Sequence, residues 1–385
     1  VAFEICLALV VLTGSGLMMK GFLRLYTVDP GFEKQNKLTM RISLPGDRYG
    51  STRQAASFFQ ETLDRFEQLP GVSSASMISH LPMSRSNWTS RFSIEGEDPD
   101  TEGRMASNRR AVSPGYFADM GIPLLKGRYL DERDREGAPP VALINELFAE
   151  SLWPGEDPLG KRIAFSYQPS PEDWIEIVGV VGNVRQAGFN RNIARCVYRP
   201  MAQEGRSSAF FVLNTAGDPL GMVESARRAV WTVDADLPLY QILSMEQVIR
   251  QRNWEEPLYA FLFGIFAVIA LVLASVGVYG VVAYSVSQRT REFGIRMALG
   301  ADSGAVKRLV VGQVELLGGI GVGMGLLVSF ASMKVLESLL FGVRHDDLTV
   351  YAIAALVMTA VALLASYLPA RRATLVDPVE TLRAE

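Results

Sequence analysis

The stretch LYAFLFGIFAVIALVLASVGVYGVVAYSVS, Leu258–Ser287, contains no charged residue, and REFGIRMALGA, Arg291–Ala301, follows it within a few positions. A bilayer core takes roughly 20 apolar residues as a helix, at about 1.5 Å of rise each. The first stretch is longer than a crossing requires, so it is expected to tilt or to project beyond the membrane as a stalk. The second, with arginines, a glutamate and several apolar side chains, poses the functional question.

Three further runs approach membrane length: Ile5–Leu25, about Leu309–Met333, and Leu348–Leu368. The first carries Lys20 and Arg24, whose long stems can stay in the apolar layer while the charges reach the interface. Buried soluble helices could explain any one run, but not three clustered in the final third. The chain of 385 residues is 49% hydrophobic, which also points to a membrane protein, and its net charge of −3 gives no basic excess for nucleic acid. The basic residues set an orientation. Arg289, Arg291, Arg296, Lys307 and Arg308 lie between the second and third runs, and Arg371 and Arg372 follow the fourth. Short loops rich in Lys and Arg stay cytoplasmic. Both chain ends are then expected in the cytoplasm, with the link FGVRHDD and the segment 26–257 outside. Cys6 and Cys196 fall in different compartments, which argues against a disulfide.

The external segment has the pattern of a mixed α+β domain. KLTMRISLP is strand-like, Phe59, Leu63 and Phe66 mark one face of a helix over Thr52–Leu69, and GVSSASMIS is the next strand. The order recurs near the end: AFFVLN, a helix after Asp218 with Val223, Ala226, Val230 and Val233 on one face, then LPLYQIL. Between them, roughly Met105–Gln203, PVALIN and WIEIVGVVGNVR are strands separated by turn-rich pieces, as in an inserted, mostly β subdomain.

Motifs for chemistry are lacking. There is no GxxxxGK[ST] phosphate loop, and GSGLMMK, Gly14–Lys20, has the wrong spacing and lies in a membrane run. His80 and His345 are far apart, with no HExxH pattern, so no metal site is expected and His80 is expected to be a turn or packing residue. EGEDPD and YLDERDRE are charge runs of the solvated kind.

In the stretch after the second run, Arg289, Glu292 and Arg296 form a charged stripe at helical spacing, with Glu292 placed to pair with Arg296. Phe293 and Met297 flank one side, Ile295 and Leu299 the other. Gly300 can end this helix, and Asp302 or Ser303 can cap the next. Such a helix (about 289–300) suits either a membrane surface or a groove on a partner protein, and residue physics leaves both open.

One span, a large external domain, three spans, SQRTREFGIRMALGAD and the terminal LLASYLPARRATLVDPVETLR together resemble the FtsX/MacB-type ABC transporter permeases over nearly the whole chain. VDPGF (Val28–Phe32) and VSPGYFADMGIPLLKGR (Val112–Arg128) are similar to the large duplicated orphan permeases, in which this four-span unit occurs twice. A start at Val1 without methionine fits the second half of such a chain. The resemblance implies a membrane protein of four transmembrane helices (1–25, then about 258–287, 309–333 and 348–368 in a permease domain 258–385). It also implies an extracytoplasmic α+β domain, 26–257, with Porter-like and Sabre-like subdomains. Arg291, Glu292, Phe293, Arg296, Met297 and Leu299 would then dock on a MacB-like ATP-binding subunit, which alone uses ATP. This chain would bind no cofactor or metal and would not itself be an enzyme. Other expected partners are a second permease copy or fused half and periplasmic or outer-envelope components. Some family members fuse the nucleotide-binding domain to the permease; none is present in this sequence.

Gly319 with Gly323, and Gly321 with Gly325, have the small-xxx-small spacing of closely packed membrane helices, either with a second copy or within the chain. Glu315 lies in the inner part of that span, at interfacial depth or as a functional group. Two functions are carried forward: a permease that turns ATP hydrolysis by a separate subunit into movement outside the membrane, in efflux or lipoprotein and lipid export, and a membrane-anchored receptor or scaffold without a nucleotide cycle.

Overall fold

A computed structural model describes residues 2–25, 28–84, 86–97, 106–189, 192–289, 292, 303–335 and 347–373. The chain forms two compact units, Val1–Val28 with Glu255–Glu385, and Asp29–Trp254.

The first unit contains α1 (Ala2–Leu25), α8 (Glu255–Gln288), α9 (Ser303–Val335) and α10 (Leu348–Ala373). Each holds a window long and apolar enough to cross a membrane: Ala2–Leu23, Pro257–Gln288, Leu316–Met333 and Leu348–Tyr367. The helices outrun the apolar runs, because the backbone ladder continues into polar turns. Pro257 sits in the first turn of α8, where an N–H has no helical acceptor in any case. The fourth run, expected over Leu348–Leu368, falls in α10, which continues through Pro369 to Ala373. A common core is built from Ile5, Ala8 and Leu9 of α1, Ala274, Val278 and Val282 of α8, and Ala354 and Met358 of α10.

The second unit is built on a 12-stranded sheet: β1 (Lys37–Ser43), β2 (Val72–Ile78), β3 (Thr89–Arg91), β4 (Ser93–Ile94), β5 (Ala106–Val112), β6 (Leu124–Gly127), β7 (Val141–Asn145), β8 (Arg162–Ala164), β9 (Ile175–Val181), β10 (Cys196–Pro200), β11 (Ser208–Thr215) and β12 (Tyr240–Ser244). Their order is β12-β1-β11-β2-β5-β10-β7-β9-β8-β4, with β3 on β5 and β6 on β9. The helices are α2 (Thr52–Glu67), α3 (Tyr116–Asp119), α4 (Glu146–Leu152), α5 (Met201–Glu204), α6 (Val223–Val233) and α7 (Met245–Arg252).

Both expected strand-helix-strand units form, β1-α2-β2 and β11-α6-β12. Ser51 and Gln54 close a capping box at the start of α2, as Ser244 and Gln247 do for α7. Phe58, Phe59, Leu63 and Phe66 of α2 and Ala226, Ala229 and Val230 of α6 pack over Leu38, Met40, Phe211 and Leu213. The insertion carries its own core around Phe92, Phe148, Trp153, Ile163 and Ile177. It does not have a sheet of its own: β2 meets β5 at Ile78↔Val112, and β5 pairs in parallel with β10, so one sheet crosses both halves. Continuing the ladder satisfies backbone groups that a bare edge of β2 would expose.

Candidate functional site

Of the residues expected to meet an ATPase, Arg291, Phe293, Arg296, Met297 and Leu299 lie outside the described residues. Glu292 is helical and exposed, and Arg289 is exposed in the turn that follows α8. The side chain of Glu315 also lies outside the described residues.

The glycines of α9 divide between two faces. A Cβ on Gly321 would lie 2.8 Å from the Ala2 carbonyl oxygen and 2.9 Å from Ile5 Cβ, and one on Gly325 would lie 2.8 Å from Leu9 Cδ2 and 3.2 Å from Cys6 Cα. Gly319 and Gly323 have nothing within 4 Å of that position among the described residues. Gly321 and Gly325 therefore let α1 and α9 approach within one chain, where lipid offers no hydrophobic drive for association and close contact must supply it. Buried Thr13 donates to Leu9 O (2.8 Å) and lies 2.9 Å from Ser329 Oγ, bridging the same two helices, and Ser15 Oγ donates to Phe263 O of α8 at 2.8 Å. Lys20 of α1 pairs with Asp347, the residue before α10. Gly325→Leu is expected to cost about 1–3 kcal/mol of bundle stability, because the added side chain has only backbone and a packed Leu9 to displace. Gly323→Leu should change it by less than about 0.5 kcal/mol. Unfolding in detergent of the two variants side by side checks this, and equal losses would contradict the division into faces.

The α/β unit holds a cleft of about 420 Å³ lined by Leu81, Met83, Phe210, Leu243, Val248 and Trp254, with Gln241 and Arg252 beside them. Met83 (φ 61°) and Gln241 (φ 49°) have left-handed backbones, strained for their residue types. No local sequence signal marks this cleft, since its walls come from β1, the segment after β2, β11, β12 and α7.

His80 follows β2 at the middle of the sheet. Ser79 Oγ accepts the Ala111 N–H at 2.9 Å, which leaves its own proton for His80 Nδ1 at 3.0 Å and suits a neutral ring. Burial, then the charges of Arg110, Arg206 and Arg41, push the imidazole pKa down to about 4. The folded state thus binds this proton less readily than the unfolded chain, whose His titrates near 6.5. The stabilisation is complete above about pH 6.5 and is lost as pH falls toward 4. Going from pH 7 to pH 5 should cost the native chain about 1–2 kcal/mol more than His80→Gln. Denaturant titrations at both pH values check this, and parallel losses would refute it. Among the described residues no three His, Cys, Asp or Glu side chains gather as metal ligands.

Two family models match this architecture. The MacB-like periplasmic core domain matches residues 5–229, more than half of the chain, and the FtsX-like permease C-terminal model matches residues 264–378. Among curated proteins, the macrolide export ATP-binding/permease protein MacB 2 of Aeromonas hydrophila is 29% identical over 286 residues, covering 71% of this chain and 43% of that protein. The protein of corresponding name from an Azoarcus species is 24% identical over 357 residues, covering 91% of this chain and 51% of its own. The chain thus spans about half the length, or less, of these relatives. The solved periplasmic region of MacB from Actinobacillus actinomycetemcomitans aligns with 57% of this chain and 94% of its own, at 15% identity and a TM-score of 0.40. With four membrane-length helices, a mixed α/β unit inserted after the first, and both family matches in that order, this multi-pass membrane protein belongs to the MacB-like ABC transporter permeases.

Proposed function

We propose that this chain is a permease subunit of the mechanotransmission type, which couples ATP hydrolysis by a separate MacB-like ATP-binding subunit to movement of its external unit. The observation that carries this reading is the FtsX-like match over 264–378, which takes in REFGIRMALGA between α8 and α9. On this reading Arg291, Glu292, Phe293, Arg296, Met297 and Leu299 form the docking surface. The apolar side chains fill a groove on the ATPase while the charged stripe sets register, since charges at an interface secure specificity more than affinity. The ATPase consumes the ATP, and this chain binds neither nucleotide nor metal. The chain sits in the bacterial plasma membrane with both ends cytoplasmic, supported by the basic residues beside α8, α9 and α10. It works with a second permease copy or fused half and with periplasmic or outer-envelope components. Its work is efflux or lipoprotein and lipid export, supported by the macrolide-export names of its relatives.

The test is purification of the native chain from detergent-solubilised membranes of the producing cell, with ATP hydrolysis assayed on the product. A retained nucleotide-hydrolysing partner is the expected result. Recovery of the chain without one would overturn the reading in favour of an anchored receptor or scaffold.

A further inference from the structure

The centre of the external sheet carries a group of arginines that the transport reading does not use. Arg109 and Arg110 lie on β5, Arg199 on the parallel neighbour β10, and Arg206 just before β11. The register pairs Arg109 with Val197 and Ala111 with Arg199, so Arg109 and Arg199 leave the sheet on the same face. Glu204, the last residue of α5, has a side chain only 1% exposed and accepts from three of the four. Its Oε1 takes Arg109 Nη2 at 2.6 Å and Arg199 Nη1 at 2.7 Å, and its Oε2 takes Arg206 Nη2 at 3.2 Å. Arg110, 1% exposed, donates to Asn87 Oδ1 at 2.6 Å and has no carboxylate partner among the described residues.

Aromatic rings cover the guanidinium faces. Arg109 lies 4.7 Å from the Trp88 ring centre and 4.4 Å from that of Phe165, and Arg206 lies 3.7 Å from Trp88. Such stacking stabilises a cation but supplies no negative charge. Three guanidiniums therefore share one buried carboxylate, Arg110 beside them has none, and the Nε of all four is buried without a hydrogen-bond acceptor among the described residues. Burial draws Arg199 and Arg206 below the usual guanidinium range despite the opposing pull of Glu204. Buried charge of one sign is costly unless it is neutralised.

A cleft of about 210 Å³ opens beside Arg109 and Arg199, whose side chains remain 18% and 11% exposed. Phe165, Pro140 and Ile175 line it together with the two acids Glu172 and Asp173. Asp173 is engaged by the Ser170 backbone N–H at 2.8 Å and by its hydroxyl at 2.9 Å, and among the described residues neither acid forms an ion pair with these arginines. The cleft is smaller than sites for drug-sized molecules, which run from about 300 Å³ upward.

We propose that this cleft binds a small oxyanion, a carboxylate or phosphate group on a compact molecule, held by Arg109 and Arg199 against Phe165. Guanidinium forks match both oxyanions, and the bound group supplies the negative charge that Glu204 alone cannot. The site lies where β5 and β10 join the α2/α6-covered half of the sheet to the α4-covered half. An occupant there ties the two halves together. The inference is independent of any ATPase.

The test is thermal unfolding of the detergent-purified full chain, followed by tryptophan fluorescence. Inorganic phosphate and acetate are titrated separately at constant ionic strength, with chloride as balance. A saturable rise of the midpoint with either is expected, and the more effective one identifies the source of the oxyanion. Arg199→Gln should weaken the apparent affinity by about tenfold or more. Glu204→Gln, which removes the internal competitor, should shift it the opposite way, with several-fold tighter binding and greater stabilisation by the oxyanion. Arg162→Gln, in an exposed pair with Glu95, should leave the curve unchanged. No saturable rise beyond chloride, a response in Arg199→Gln equal to native, or weaker binding in Glu204→Gln would each overturn the proposal.

Discussion

Exchanging Glu292 for lysine together with Phe293 for alanine is expected to abolish association with the ATPase while the chain still inserts in the membrane. The charge reversal turns Arg289, Glu292 and Arg296, set at helical spacing in the sequence, from alternating into like charges, which abolishes the Glu292–Arg296 pairing that this spacing allows and repels any partner surface shaped for it. The second change deletes the aromatic anchor, and buried aromatic anchors commonly account for 2 kcal/mol or more of an interface. Together they should reduce affinity by at least about a hundredfold, enough to lose the partner during purification. Insertion should survive because neither residue belongs to α8 or α9. Co-purification with ATP hydrolysis, alongside membrane fractionation, reads both effects. Normal ATPase recovery by the double variant would remove REFGIRMALGA from the coupling role.

Phe211→Ala should destabilise the α/β unit by about 3–5 kcal/mol. Phe211 is fully buried on β11, between Met40 of β1 and Met77 of β2 in the sheet register. Its ring meets Phe66 edge-on at 5.2 Å and 82°, and Phe59 at 6.0 Å. The backbone is hydrogen-bonded on both sides, so the strand cannot move into the space left by the ring, and α2 loses the contacts that Phe59 and Phe66 make with β11. Tyr240→Ala, on the outer strand β12 and 49% exposed, should cost less than about 1 kcal/mol. Denaturant unfolding of both variants of the full chain gives the comparison. A loss for Phe211→Ala no greater than for Tyr240→Ala would mean that α2 does not depend on this contact.

The four spans and both strand-helix-strand units were legible in the sequence, because hydropathy over 20 residues and apolar periods of two or 3.6 are local properties of the chain. The charged stripe at Arg289, Glu292 and Arg296 is an expectation from spacing, and Arg296 lies outside the described residues. Helical extent was less legible: α10 runs through Pro369 to Ala373, beyond the apolar run that marks the span. Only the tertiary structure divided the α9 glycines, since the identical spacing of Gly319–Gly323 and Gly321–Gly325 says nothing about which face α1 covers. Only it joined the insertion to the flanking units in one sheet, because strand pairing depends on partners far away in the chain. Arg109, Arg199 and Arg206 look like scattered surface charges in sequence. The parallel register of β5 and β10 gathers them on Glu204 and makes them a site.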